Sequence, residues 1–353
     1  MQIIDADAHV IENEHTWDFM EEEEQAFRPL VVIPKHGRAA TVTGFAGTPR
    51  PVDEFWIIDG RVFSKASGFM SKEMSAGARE ASDVEARLAH MDELGVDIHV
   101  IYPSLLGPLT RRPEVEVALQ RSYNRWVADI CDKGKGRLRW AAVLPLLSMD
   151  KSLEELRWAK DHGACAFMLH GVESDRRLSS PYFFPLYQEA AKLDLPACVH
   201  ATSGSFAMHE IFGQDSGFST FKLPVVGAFH DLVMKEIPAK FPDLRWGFIE
   251  VSAQWIPYAT NDLEIRFRKR GMRWPGADLL KENRMYVACQ TADDLPKVLE
   301  CTGEDNIVIG SDYGHNDTSA ELEALRKLKT KGTLAPEIID KILYDNAKRL
   351  YAL

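Results

Sequence analysis

The chain has 353 residues, 45% hydrophobic and 27% charged, a balance that allows one large globular domain or two of average size. A formal charge of -11 excludes a surface built to hold nucleic-acid phosphates, which needs clustered lysine and arginine. No apolar run approaches the ~20 residues of a membrane span. No basic stretch leads into an apolar one at the N-terminus as in a secretory leader. The five cysteines are widely spaced and form no CxxC pair, so neither a disulfide framework nor a zinc ribbon is expected. Together these features give the expectation of a cytoplasmic protein.

The first strand is expected from about Gln2 to Asp7. It runs into Asp5, Asp7 and His9 at alternate positions, which an extended strand turns to one side. Residues 14–81 then fit no regular alternation and are expected to be an insertion, a lid or oligomerisation segment. Within it, Phe55 to Phe63 reads as a hairpin about Asp59-Gly60, and Glu21 to Glu24 as a solvated helix face. Regularity begins at Ser82, which forms a capping box with Glu85 ahead of a helix that Gly95 ends. The next strand runs from Asp97 to Tyr102, followed by a helix from Glu114 to Cys131 and a strand from Leu138 to Leu144. Asp150 is expected to cap the next helix, ahead of the strand Ala164–His170 and a helix from Pro181 to Leu193. A short strand, Ala197–His200, precedes an apolar helix from about Val225 that Pro238 kinks or ends. The strand Leu244–Glu250 leads to a helix with Ile256, Asp262 and Ile265. Strands at Met285–Cys289 and Ile307–Asp312 follow, separated by a helix that Thr291 and Asp294 cap, with helices from Thr318 and Pro336 closing the chain.

These are eight strand-then-helix units with short, unalternating apolar strands, the pattern of a parallel sheet covered on both faces. The fold class is α/β, a (β/α)8 TIM barrel over residues 1–353 with a long insertion after strand 1; an open doubly wound sheet is the alternative. No GxGxxG or GxxxxGK[ST] follows any strand.

Active sites of such barrels lie at the C-terminal strand ends. Here those ends carry Asp7 and His9, Tyr102, His170, His200, Glu250 and Asp312. Polar groups of this kind are costly to bury without metal or hydrogen-bond partners, and together they make a candidate divalent-metal site. His170 reads as a substrate contact, a second metal ligand or a backbone-bonded histidine. His315, three residues past Asp312, reads as an acid or a loop anchor. His230 is expected to be packed or capping, and His99 to face the helices. His15, His36, His90, His162 and His209 have no converging context. Arg61, Arg111, Arg112 and Arg177 are either carboxylate clamps or solvated surface residues.

The chain resembles the amidohydrolase superfamily, in particular its amidohydrolase-related branch with aminocarboxymuconate-semialdehyde decarboxylase and γ-resorcylate decarboxylase. The resemblance rests on Asp5-Ala-Asp7-Ala-His9, Val199-His200, the run Phe241 to Glu250, Gly310-Ser-Asp312-Tyr-Gly, and Asn346 to Tyr351. It implies one divalent metal, Zn or Mn, held by Asp7, His9, His200 and Asp312. The first position of the branch's HxH pair is Asp7 here; some decarboxylases of the branch also carry a carboxylate there. The catalytic histidine usual after strand six falls at Glu250, so the acid/base part goes to Asp312 or Glu250 or, with Glu250 a structural carboxylate, to His170, His230 or His315. The leading expectation is a non-oxidative decarboxylase of a small aromatic or unsaturated carboxylic acid. The alternatives are a metal-dependent hydrolase of an amide, ester, lactone or thioester, and an inactive barrel acting as a binding protein. The resemblance also implies a homodimer or homotetramer.

Overall fold

Eight short apolar segments form one parallel sheet in chain order: β1 (Ile4–Val10), β2 (Ile98–Pro103), β3 (Leu138–Ala142), β4 (Ala164–His170), β5 (Ala197–His200), β6 (Trp246–Ile249), β7 (Met285–Cys289) and β8 (Ile307–Ile309). The computed structural model describes residues 2–33, 40–43, 49–52, 54–65, 73–212, 217–316 and 318–353. His36 and part of the 14–81 segment lie outside them. The strands are buried along nearly their whole length, because each faces barrel interior on one side and helices on the other. The sheet closes between β8 and β1 without a regular ladder. Three contacts beyond β8 make the seam: Asp312 N donates to Asp7 O (2.9 Å), His9 N donates to Tyr313 O (2.7 Å), and Ala8 bridges Tyr313. The expected (β/α)8 barrel is thus the observed architecture.

The seam needs a glycine. A Cβ on Gly310 would lie 2.1 Å from Cβ of Asp7. No side chain fits there unless β1 and β8 separate.

Several boundaries differ from the sequence expectation. Asp83, not Ser82, caps the Val84–Leu94 helix, accepting from Ala86 N (3.0 Å), while Gly95 ends it in the left-handed region (φ +73°) as expected. Ser148 precedes the Met149–Asp161 helix, and Asp150 sits inside its first turn, where its charge suits the helix dipole. The helix around Val225 runs from Leu223 to Met234, and Pro238 falls in the first turn of the separate Ile237–Lys240 helix, where no N–H is missed. In the Ile256–Lys269 helix, Leu263 and Phe267 are buried while Ile265 is 47% exposed, so the apolar face is rotated from the one expected. Asp294 caps its helix through Lys297 N, whereas the Thr291 hydroxyl bonds Glu321 instead.

Inside the 14–81 segment, Leu30–Val32, Phe55–Ile58 and Arg61–Ser64 form an antiparallel sheet, with Asp59 (φ +48°) and Gly60 (φ +73°) turning the hairpin. Two left-handed residues in succession are what a two-residue turn of type I′ requires. Trp17, Met20, Trp56 and Ile58 bury a separate core against Val115, Ala118 and Leu119 of the Pro113–Lys133 helix. Trp56 meets Trp17 edge to face at 5.9 Å. This small core is what fixes the segment on the barrel. Trp56→Ala removes its largest side chain and is expected to cost about 3–5 kcal/mol of local stability. Limited proteolysis should then cut within residues 54–65 well before the barrel unfolds, and equal cleavage of both proteins would refute the anchoring role.

Candidate metal centre and adjoining cavity

Strand β1 delivers two side chains into the barrel mouth because its pairing with β2 is irregular between Asp5 and Ala8. This irregularity overrides simple alternation. Asp5, Asp7 and His9 therefore do not emerge together. Asp5 lies at the β1–β8 seam, accepting from Ser311 N (2.9 Å) and Ser311 Oγ (2.5 Å), with Nε2 of His99 at 3.8 Å. Burial pushes its carboxyl up to about 7 despite the Ser311 bonds.

Asp7 and His9 point inward. His9 Nδ1 donates to Pro103 O (2.8 Å), which fixes the tautomer and presents Nε2 to the mouth. Around that Nε2 lie Asp312 Oδ1 at 3.2 Å, Asp7 Oδ1 at 3.3 Å and Glu250 Oε2 at 3.9 Å. His200 faces Asp7 Oδ1 through Nε2 (3.2 Å) and Glu250 Oε2 through Nδ1 (3.4 Å). Asp7, His9, His200 and Asp312 are all at most 2% exposed, and Glu250 is 6% exposed. Asp312, Glu250 and Thr202, at or just past the ends of β8, β6 and β5, have φ of +53°, +63° and +137°. Left-handed backbone at non-glycine residues costs of order 1–3 kcal/mol each and clusters at functional sites.

Three carboxylates and two imidazoles in one dry cluster suit a cation. His9 Nε2 is buried and faces the Asp7 and Asp312 carboxylates. Asp7, His9, His200 and Glu250 offer ligand atoms that lie within 4.8 Å of one another, and so do His9, Glu250, Asp312 and His315. The donor set therefore fits a divalent metal, with oxygen ligands favouring a hard ion. Burial opposes ionisation of Asp7, yet hydrogen bonds from His200 and His9 outweigh it and hold the carboxyl below the usual range. Burial likewise opposes the His9 imidazolium, but Asp312 and Asp7 push it up to about 10. His200 moves down, chiefly through burial.

His315 joins this site. Its Nδ1 meets Asp312 Oδ1 at 2.8 Å, its ring stacks on His9 at 3.7 Å, and its Nε2 meets Ser104 Oγ at 3.1 Å. His170 does not join the ligand cluster. It stands beside His200 across the β4–β5 ladder, and its Nδ1 meets Glu173 Oε1 at 2.8 Å. There it lines a cavity over the ends of β2, β3 and β4, with walls that include Trp17, Leu105, Tyr123 and Met168. Three residues of this cavity were not singled out by sequence: Glu12, Glu116 and Glu173. Glu12 lies just past β1, Glu116 looks like an ordinary helix residue, and Glu173 ends the two-residue strand Val172–Glu173 that pairs with Arg176–Arg177.

The remaining candidates disperse. His99 faces the helix layer as expected, with Arg87 Nη2 at 3.2 Å from its Nδ1. His230 pairs with Asp262 (2.8 Å) away from the mouth. Arg61 and Arg111 both stack on Phe206, at 4.1 and 4.2 Å from the ring centroid. Arg112 pairs with Asp59 (3.1 Å), and Arg177 with Asp231 (3.3 Å). No described helix is long and apolar enough to cross a membrane.

The amidohydrolase family model matches residues 4–353, and the chain belongs to that family. No curated protein matches it. Among solved structures, an amidohydrolase from Mycobacterium avium subsp. paratuberculosis K-10 superposes with a TM-score of 0.77 at 18% identity, covering 99% of each chain. The 5-carboxyvanillate decarboxylase of Sphingomonas paucimobilis gives a TM-score of 0.68 at 14% identity, over 100% of this chain and 99% of that one. The corresponding enzyme of Novosphingobium aromaticivorans, complexed with manganese and 4-hydroxy-3-methoxy-5-nitrobenzoic acid, gives 0.63 at 20% identity over 77% and 81%.

Metal binding should displace a proton. His9 must be neutral to ligate, yet against burial the Asp312 and Asp7 carboxylates push its imidazolium up to about 10. Near pH 7 each bound Mn2+ is therefore expected to release about one proton, and affinity should rise with pH. Calorimetry in buffers of different ionisation enthalpy measures this directly; release of none would refute His9 as a ligand. The same shift stabilises the metal-free fold fully below about pH 6.5. That contribution is lost as pH climbs to about 10.

Proposed function

We propose that the chain is a metal-dependent non-oxidative decarboxylase of a small aromatic or unsaturated carboxylic acid. The observation that carries the reading is the buried cluster of Asp7, His9, His200, Glu250 and Asp312 beside a cavity of mixed polar and apolar lining. Structural neighbours include decarboxylases of 5-carboxyvanillate and 2,6-dihydroxybenzoate, which supports the reaction class. A neighbour that carries manganese, and the carboxylate at Asp7, support Mn2+ over Zn2+.

In this reading Asp7, His9, His200 and Asp312 would hold the ion, and the chemistry it would supply is Lewis-acid stabilisation of negative charge on the substrate. Asp312, braced by His315, delivers a proton to the carbon that loses CO2. Glu250, between His9 and His200, is the second proton carrier and replaces a histidine in that part. Residues 14–81 act as a lid: Trp17 forms one wall of the cavity and helps keep it dry. The protein works as a homodimer or homotetramer in the cytoplasm, a placement that the free cysteines favour.

Product analysis tests the reaction. Manganese-loaded protein is incubated with a panel of hydroxybenzoates in deuterated, 18O-enriched water. A decarboxylase releases CO2 and leaves one deuteron on carbon. Solvent oxygen in the product of an ester or lactone panel would identify a hydrolase instead. Protein that retains no metal after purification without chelator would point to a binding role. Glu250→Gln is expected to lower turnover by roughly 10²–10⁴-fold, the usual worth of a general acid or base; full turnover in this variant would remove Glu250 from the mechanism.

A further inference from the structure

We propose that the cavity beside the metal centre recognises an amino group, so that the substrate is an amino-substituted small carboxylic acid with its ammonium at Glu116 and Glu12. The carboxylate end of this assignment rests on the decarboxylase reading; the amino end rests on the cavity alone.

The cavity walls mix apolar side chains such as Trp17, Leu105 and Met168 with the carboxyl groups of Glu12, Glu116 and Glu173. Glu12 is 2% exposed and Glu173 5%. Main-chain N–H groups hold each one in place. Ser104 N (2.9 Å) and Leu105 N (3.2 Å) donate to Glu12 Oε1, Leu147 N (2.7 Å) to Glu116 Oε2, and His170 N (2.5 Å) to Glu173 Oε1. Glu173 also has the His170 imidazole at 2.8 Å, but no lysine or arginine is among the described residues lining the cavity. Buried acids without a cation are costly, and a bound ammonium supplies the missing counter-charge. Burial pushes Glu116 up to about 8, with the Glu173 charge adding to it, and Glu12 up to about 7. An ammonium draws out the charged forms of these acids, whereas a second substrate carboxylate meets like charge wherever they ionise.

The cavity adjoins the ion-binding side of the mouth. Pro103 lines it and takes the His9 Nδ1 hydrogen bond through its carbonyl, and His170 lines it beside His200. One small molecule can therefore present opposite ends to the two halves. Neither half needs an arginine clamp for this: the ion takes the anion, and the glutamates take the cation.

Titration calorimetry on manganese-loaded protein tests the assignment with benzoate, 3-(aminomethyl)benzoate, isophthalate and benzylamine. The expected order is 3-(aminomethyl)benzoate about tenfold or more tighter than benzoate, the worth of a hydrogen bond between charged groups, with isophthalate weakest. In Glu116→Gln, whose amide oxygen still accepts from Leu147 N, the ratio should fall towards one; Glu12→Gln is the second variant should the first fail to fold. Isophthalate binding as tightly as the amine, or a ratio that survives both substitutions, overturns the amino pocket. Benzoate binding without an amine preference sinks the pocket and spares the decarboxylase reading. Benzylamine binding that depends on Glu116, with no binding of benzoate, sinks the carboxylic-acid reading and spares the pocket.

Discussion

The seam between β8 and β1 is the constraint on which the rest depends. Asp312 N donates to Asp7 O, and the missing side chain of Gly310 lets the two strands approach closely enough for that bond. The contact that closes the barrel also sets two carboxylates of the mouth on either side of His9. Fold and site are therefore one piece of geometry. Asp5 reinforces it by binding main chain and hydroxyl of Ser311, so an acid that cannot reach the mouth still positions those that do.

Bringing these acids together costs electrostatic energy, because like charges in a dry interior cannot all ionise without a counter-charge. In the metal-free protein the His9 imidazolium carries part of that load. A divalent ion would carry more of it and return His9 to the neutral form that ligates. The Pro103 carbonyl is important here: by fixing Nδ1 as a donor, it leaves Nε2 as the atom that faces the acids.

The mouth divides into two halves with different chemistry. β1, β5, β6 and β8 contribute the side chains that could hold an ion, while the ends of β2, β3 and β4 surround the cavity. The small core of Trp17, Trp56 and the Pro113–Lys133 helix joins the 14–81 segment to the cavity half. His315 and Ser104 link the halves, since Ser104 meets His315 through its hydroxyl and Glu12 through its N–H.

The sequence alone determined the barrel and most of its mouth. The strands Ala164–His170, Ala197–His200 and Met285–Cys289 were readable to the residue, because buried parallel strands are short apolar runs that end where the chain becomes polar. The same rule put Asp7, His9, His200, Glu250 and Asp312 at one rim. Helix caps were less legible, since neighbouring polar residues such as Ser82 and Asp83 compete for one position and only local backbone geometry chooses between them. The resemblance already chose Asp7 over Asp5 as a ligand, but only the tertiary structure gave the physical reason, an irregular pairing with β2 that breaks the alternation and leaves Asp5 at the seam. It moved His170 out of the ligand cluster and brought Glu12, Glu116 and Glu173 into one cavity from three distant segments. Periodicity reports the face a residue takes within its own element; which elements share a space depends on contacts between residues far apart in the chain, and no local pattern encodes them.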